Sequence, residues 1–234
     1  MDIKIGEESR AEFSRLQFLN EWKQREKAEK IERYRHLNQM ARKGQILFCG
    51  SSLMEQFPVS ELMLDAGLSF NIYNRGVGGL TTQEMLDHLD VLVTDLEPAH
   101  IFINIGTNDL NDEYYDVSDL IGRYEEILGI IKTRLPKAGI YVLAYYPGNM
   151  SIDGIDPVLR EKFRFRNNDR IKEANQELEK LSDRLHINFI DCNSAITGED
   201  GNLRPEFCID GIHIYGDGYA EILNVLMPVL ERLA

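Results

Sequence analysis

Several polar or glycine-rich segments of the sequence contain the residue types that acyl transfer requires. That chemistry needs a nucleophile, a base that takes its proton, a group that orients the base, and donors for the oxyanion. Ser52 follows an apolar segment at a glycine-led turn, and His213 lies three residues after Asp210. At that spacing the Asp210 carboxylate can accept a hydrogen bond from one imidazole nitrogen and leave the other nitrogen for Ser52.

Donors for an oxyanion occur in two further segments. Gly79 offers a backbone N–H that no Cβ obstructs, and Asn108 offers a side-chain amide. The backbone N–H of Ser52 would be a third donor. Each of these features is common by itself as a strand-end turn, a tight strand-to-helix turn or a surface pair. The functional interpretation therefore depends on their joint order along the chain.

Alternating strands and helices after residue 44 must bring these segments together. The apolar runs predict strands at residues 45–49, 70–74, 101–105, 139–145 and 187–190. Helices are predicted at residues 81–93, 117–135, 160–185 and 218–233. This alternation indicates an α/β fold with a parallel sheet that helices cover on both faces. Ligands bind at the carboxyl ends of such strands, so the polar segments should share one edge.

Composition and charge limit the classes of partner. The chain has 234 residues and a net charge of −13, which argues against nucleic acid or an anionic membrane as the main partner. The three cysteines form no zinc or disulfide pattern, and the first residues lack the apolar core of a signal peptide. We therefore expect a cytoplasmic protein that uses no metal and no cofactor.

The first 44 residues differ from the rest of the chain. Residues 1–43 carry a net charge of +3, whereas the remainder carries −16. Apolar residues at spacings of three and four predict one long helix, or two joined helices, over residues 7–42. We expect residues 1–44 to be a helical extension that packs on the body, or on a second copy in a homodimer, with Trp22 partly buried.

The order of the chemical segments resembles the SGNH hydrolase family, also called GDSL-type lipases and esterases. The resemblance covers residues 45–234 and is closest to a bacterial branch similar to platelet-activating-factor acetylhydrolases. The matching positions are Ser52, where the family usually has Gly-Asp-Ser, Gly79 five residues after Asn74, Asn108 within residues 106–109, and Asp210 with His213.

The resemblance implies a three-layer α/β/α fold of the flavodoxin-like type, with a five-stranded parallel sheet in residues 45–234. It also implies a metal-free serine esterase for small acyl esters, above all acetyl esters. Ser52 would be the nucleophile, His213 the base and Asp210 the residue that orients it. The oxyanion would be held by Ser52, Gly79 and Asn108.

Residues near these segments are candidates for substrate contacts. Ser51 stands where the family usually has Asp before the nucleophile, and Tyr114 and Tyr146 follow two of the predicted strands. Arg164 and Arg166 could bind an anionic group of a substrate, or could pair with acidic residues of the body.

Other functions fit parts of the pattern. An acyltransferase or a thioesterase would use the same residues on a different acceptor. A catalytically silent scaffold could use the N-terminal helix for assembly. A nucleotide-binding domain would place a phosphate at residues 76–79.

Overall fold

One parallel sheet forms the centre of the protein. The computed structural model describes residues 7–67 and 71–233. The strands, in the spatial order β2-β1-β3-β4-β5, all run parallel to their neighbours. Their bounds are Ile46–Gly50 (β1), Ile72–Gly76 (β2), His100–Asn104 (β3), Gly139–Leu143 (β4) and Asn188–Ile190 (β5).

Helices connect and cover the strands. The first is α1 (Glu7–Asn38), and the two short helices after β1 are α2 (Ser52–Glu55) and α3 (Val59–Asp65). The remaining helices are α4 (Thr82–Asp87), α5 (Leu89–Leu92), α6 (Val117–Arg134), α7 (Pro157–Lys162), α8 (Asn168–Leu185) and α9 (Gly216–Leu230).

Alternating side chains of the strands divide the apolar core into two layers. Leu47 and Ile101 pack on the face that α4, α5, α6 and α8 cover. Their neighbours Ile46 and Phe102 point to the opposite face, which α2, α3 and α9 cover. Both faces of the sheet are buried, as expected for parallel strands. The predicted three-layer α/β/α fold is confirmed.

The strand order places a switch point beside β1. The chain runs from β1 to β2 on one side and then returns to β3 on the other side. In the register of the sheet, Gly50 pairs with Gly76 and with Asn104, so these three strands end at one level. Clefts form at such points because the connections leave in opposite directions. The segments that contain Ser52, Gly79 and Asn108 follow these three strands.

Several predicted boundaries differ from the structure. The strand expected at residues 70–74 runs from Ile72 to Gly76, and residue 70 lies outside the described residues. The helix expected at residues 160–185 is two helices, because the Asn167 side chain accepts a hydrogen bond from the backbone of Arg170 and begins α8 anew. Thr81 and Glu84 form the predicted capping box, but the helix they begin ends at Asp87.

The described part of the N-terminal extension contains one continuous helix, α1, and the C-terminal part of this helix packs on the body. Ile31 belongs to the core, and the hydroxyl of Tyr34 donates to the carbonyl oxygen of Gly76 at 2.8 Å. The amide of Asn38 donates to the carbonyl oxygen of Val91 at 2.8 Å, and its oxygen accepts from Arg75 Nε at 3.0 Å.

The earlier part of α1 is exposed. The side chains of residues 17–26 are all exposed, and Trp22, which we expected to be partly buried, has 50% of its surface exposed. Its ring centroid lies 6.3 Å from that of Phe18. No helix of the described ranges, 7–67 and 71–233, is both long and apolar enough to cross a lipid bilayer.

The buried bonds of Asn38 predict that this residue fastens α1 to the body. Replacing Asn38 with Ala leaves the Arg75 guanidinium and the Val91 carbonyl without this partner, so Asn38→Ala should lower the free energy of unfolding by about 1–3 kcal/mol. Urea denaturation measures the change. Asn20→Ala, on the exposed part of the same helix, should stay within about 0.5 kcal/mol of wild type. Equal stabilities for the two variants would contradict this role.

Candidate active site

Ser52 is held at a turn that only glycine permits. Gly50 ends β1 with a φ of +150°, and a Cβ there would overlap the carbonyl oxygen of Asn104. A Cβ on Gly76, at the end of β2, would overlap the backbone of Glu55. The chain can therefore leave the sheet sharply and begin α2 at Ser52 directly above the strand ends.

Three of the predicted residues form a continuous chain of hydrogen bonds. Nε2 of His213 lies 3.0 Å from Oγ of Ser52, and Nδ1 of His213 lies 2.7 Å from Oδ2 of Asp210. The other oxygen of Asp210 accepts the backbone N–H groups of His213 at 2.9 Å and Ile212 at 3.1 Å. These bonds fix the carboxylate, and the carboxylate fixes the imidazole ring.

The surroundings of the Asp210 carboxyl group favour its ionised form. Partial burial works to raise the pKa of the carboxyl group, but hydrogen bonds from the His213 side chain and backbone outweigh burial and lower the pKa to about 2. A carboxylate that stays ionised can stabilise a positive charge on the imidazole. The site can therefore receive a proton from the Ser52 hydroxyl.

Three hydrogen-bond donors, one of them the backbone N–H of Ser52, belong to residues that line the cavity beside the Ser52 hydroxyl. Ser52, Gly79 and Asn108 line the same cavity as His213. Among the described residues, no acceptor is bonded to the backbone N–H of Ser52 or Gly79. The N–H of Gly78, by contrast, donates to the carboxylate of Glu55. The Asn108 amide gives one hydrogen to the carbonyl oxygen of Leu80 at 3.0 Å, which leaves its second hydrogen for another acceptor.

Asp109 holds the loop that presents Asn108. Its carboxylate accepts the backbone N–H of Thr82 at 3.1 Å and the Thr82 hydroxyl at 2.5 Å. Nη2 of Arg123 lies 3.4 Å from Oδ1 of Asp109. Burial raises the pKa of Asp109, and the Thr82 bonds and the Arg123 charge oppose that rise. These contacts join the loop after β3 to the start of α4.

Helix α1 forms one wall of the cavity, which has a volume of about 550 Å³. The sequence interpretation placed this helix outside the chemical segments. Lys27 pairs with Glu84 at 2.7 Å, and Lys30 pairs with Glu55. The lining residues from α1 are Lys23, Glu26, Lys27, Glu29, Lys30 and Arg33. The alternation of Lys and Glu along the sequence of α1 did not indicate that this helix would line a cavity.

The candidate substrate contacts lie elsewhere. Ser51 is fully buried beneath the turn, and its hydroxyl has no partner among the described residues. Tyr146 is 1% exposed and packs in the core between the sheet and α9, so its expected contact with substrate is a wrong prediction. Tyr114 is 88% exposed on a separate shallow groove. None of these three side chains lines the cavity that contains Ser52.

Two arginines that the sequence left equivalent have different surroundings. Arg164 is half-exposed and pairs with Glu161 at 2.7 Å. Arg166 is buried and lines the cavity together with Phe163. No three His, Cys, Asp or Glu side chains of the described residues converge in a way that would hold a metal ion.

Comparisons with known proteins agree with the fold. The sequence profile of the GDSL-like Lipase/Acylhydrolase family matches residues 55–221. The human platelet-activating factor acetylhydrolase IB subunit alpha2 is 27% identical over 190 residues, which cover 80% of this chain and 76% of the human protein.

Solved structures extend the comparison. A protein from Streptococcus pneumonia, provisionally described as a platelet activating factor, superposes with a TM-score of 0.83 at 28% identity over 93% of this chain and 98% of that one. An acetylxylan esterase from Geobacillus stearothermophilus has a TM-score of 0.60 over 80% of this chain and 94% of the esterase. At 17% identity, this second likeness concerns the fold alone.

The lowered pKa of Asp210 predicts a pH-dependent contribution to stability. The carboxyl group ionises near pH 4 in the unfolded chain and near pH 2 in the folded one. Its stabilisation is therefore complete above about pH 4 and is lost as the pH falls toward about 2. The difference in free energy of unfolding between wild type and Asp210→Asn, measured by urea denaturation, should shrink over that interval. A constant difference would contradict the prediction.

Proposed function

Because the chain belongs to the GDSL-like lipase/acylhydrolase family, a family of carboxylic ester hydrolases, we propose that it hydrolyses small acyl esters with Ser52 as nucleophile. One observation carries the assignment: His213 contacts Ser52 through one ring nitrogen at 3.0 Å and Asp210 through the other at 2.7 Å. A base oriented in this way can accept the proton of the attacking hydroxyl.

In the first half of the reaction, Ser52 Oγ attacks the ester carbonyl as His213 Nε2 takes its proton. Asp210 stabilises the imidazolium that results, without taking the proton itself. The tetrahedral intermediate collapses, the C–O bond to the alcohol breaks, and His213 returns the proton to the departing oxygen. The acyl group remains bound to Ser52.

In the second half, water replaces the alcohol. His213 takes a proton from the water, the hydroxide attacks the acyl carbonyl, and Ser52 leaves with the proton that His213 holds. The carboxylic acid is released and the free serine is restored. The balance of the two halves is one water consumed for each ester cleaved.

The negative charge on the carbonyl oxygen requires donors in both halves. We assign the backbone N–H groups of Ser52 and Gly79 and the free amide hydrogen of Asn108. These donors are fixed before the reaction, so they need not reorganise as charge develops. The Asp109 and Thr82 bonds support this assignment because they hold the Asn108 loop in place.

Short acyl groups, above all acetyl, are the proposed substrates. The human relative and the Geobacillus fold neighbour are both named for the removal of acetyl groups.

We also propose a cytoplasmic location, which three buried free thiols support. The exposed rings of Phe18 and Trp22 support a homodimer through α1.

Two neighbouring serines provide a direct test of the nucleophile. Ser52→Ala should lower the hydrolysis of 4-nitrophenyl acetate by about a thousandfold or more, because within residues 7–67 and 71–233 the hydroxyl that bonds to His213 Nε2 is that of Ser52. Ser51→Ala is the matched control and should retain activity, since the Ser51 hydroxyl is buried outside the cavity. Full activity in Ser52→Ala would exclude the proposal, and so would an equal loss in both variants.

The oxyanion assignment predicts a specific kinetic effect at Asn108. Asn108→Ala should lower kcat by about 100- to 1000-fold with little change in KM, because the lost bond forms mainly in the transition state. Asn111→Ala changes an amide in the same short turn but outside the cavity, so turnover should remain near that of wild type. A rise in KM alone would instead indicate ordinary substrate binding by Asn108.

A further inference from the structure

Arg166 is a buried cation in the wall of the active-site cavity. It lies between α7 and α8, and only 4% of its surface is exposed. It lines the same cavity as Ser52 and His213. Its Nε is buried and has no hydrogen-bond partner among the described residues, and no carboxylate of those residues forms an ion pair with it. An uncompensated buried charge is costly, so such residues usually have a partner.

The carboxylates near Arg166 have other partners. Both oxygens of Asp210, whose charge acts on Arg166, accept hydrogen bonds from His213. Glu55 binds Lys30 and the N–H of Gly78. Burial lowers the pKa of Arg166 to about 10, and the charge of Asp210 opposes that fall. The guanidinium therefore remains protonated at neutral pH without a carboxylate of its own.

The rest of the cavity wall strengthens the positive character of the site. Five cationic side chains and three carboxylates line the cavity, in a chain whose net charge is −13. Of the α1 cations, Lys27 pairs with Glu84, Lys30 with Glu55, and Arg33 lies 3.8 Å from Glu29. The third carboxylate of the lining, Glu26, acts on Lys30. Among the cations that line the cavity, Arg166 is the deeply buried one.

We propose that Arg166 binds a negatively charged group of the ester, so that the enzyme prefers anionic esters over neutral ones. This inference rests on the proposed esterase function and specifies its substrate class. A guanidinium presents parallel N–H donors that match the oxygens of a carboxylate, a phosphate or a sulfate. The bound anion would supply the ion-pairing partner that no carboxylate of the described residues supplies.

A purely structural role for Arg166 makes a different prediction. If the guanidinium served only to stabilise Asp210 or the loop before α8, its loss would slow neutral and anionic esters equally. The informative quantity is therefore the ratio of kcat/KM for an anionic ester and a neutral ester of similar size. Each kcat/KM is divided by the rate constant for hydroxide-catalysed hydrolysis of the same ester, which removes differences in intrinsic reactivity.

Two pairs of esters place the charge on either side of the scissile bond. 4-Acetoxybenzoate against 4-acetoxybenzamide tests an anion on the alcohol side. The 4-nitrophenyl half-ester of adipic acid against 4-nitrophenyl hexanoate tests an anion on the acyl side. Wild type should prefer the anionic member of at least one pair by about tenfold or more, which is typical of a charge-assisted hydrogen bond.

Variants then assign that preference to Arg166. Arg166→Gln should reduce the ratio to within about threefold of unity, and Arg166→Lys should restore part of it because the charge is kept. Arg164→Gln is the matched control, since Arg164 lies two residues earlier, pairs with Glu161 and is outside the cavity. Its ratio should equal that of wild type. If Arg166→Gln does not fold, competitive inhibition of the wild-type enzyme by benzoate and by benzamide is measured instead. Benzoate should then bind about tenfold more tightly than benzamide.

The outcomes separate this inference from the esterase function. No preference for the anionic member of either pair would overturn it, as would a preference that Arg166→Gln leaves intact or equal inhibition by benzoate and benzamide. In each case, the proposed function would still be supported if the neutral esters are hydrolysed and this hydrolysis depends on Ser52. Hydrolysis that survives Ser52→Ala would instead overturn the proposed function itself.

Discussion

The close approach of backbone to backbone at the ends of β1 and β2 is the constraint on which the site depends. Gly50 lies against the carbonyl of Asn104, and Gly76 lies against the backbone of Glu55 at the end of α2. Because neither residue has a Cβ, α2 can begin within two residues of the end of β1. A side chain at either position would push α2 away from the sheet. Ser52 would then move away from His213, which approaches from a loop 161 residues later.

The lining of the cavity is positively charged, whereas the protein outside it is negatively charged. The body of the protein is strongly acidic, whereas the cavity has more cationic than acidic side chains in its lining. Most of these cations come from α1, which also contributes Ile31 and Asn38 to contacts with the core. The extension is therefore part of the enzyme cavity as well as a packed helix. An anionic ester would meet repulsion over most of the surface and attraction at the cavity.

The positions of Ser52, Asp210 and His213 could be predicted from the sequence because parallel strands end at one edge. Apolar runs located the strands, and the polar residues that follow them had to share that edge. The side-chain directions after a strand could not be predicted in the same way. Tyr146 follows β4 as Asn108 follows β3, yet Tyr146 turns into the core and Asn108 faces the cavity.

Two features of the site required tertiary information. The periodicity of α1 showed that it has an apolar stripe but not which surface its lysines would contact. Arg164 and Arg166 have similar sequence neighbours, and only the break between α7 and α8 turns one outward and the other inward. Local patterns therefore predicted the elements and which edge of the sheet Ser52, Asp210 and His213 would share, whereas the packing of elements distant in sequence determines the cavity wall.

The position of α1 in the chain also affects when the cavity becomes complete during synthesis. Domains acquire structure as the chain leaves the ribosome, with N-terminal segments emerging first. Helix α1 emerges before every strand, but its partners Glu55, Glu84 and Val91 emerge only after the first part of the sheet. The apolar stripe of α1 therefore stays exposed until α5 has been synthesised and the helix can pack on the body. His213 emerges later still, so a nascent chain acquires the wall formed by α1 before it acquires the His213 side chain.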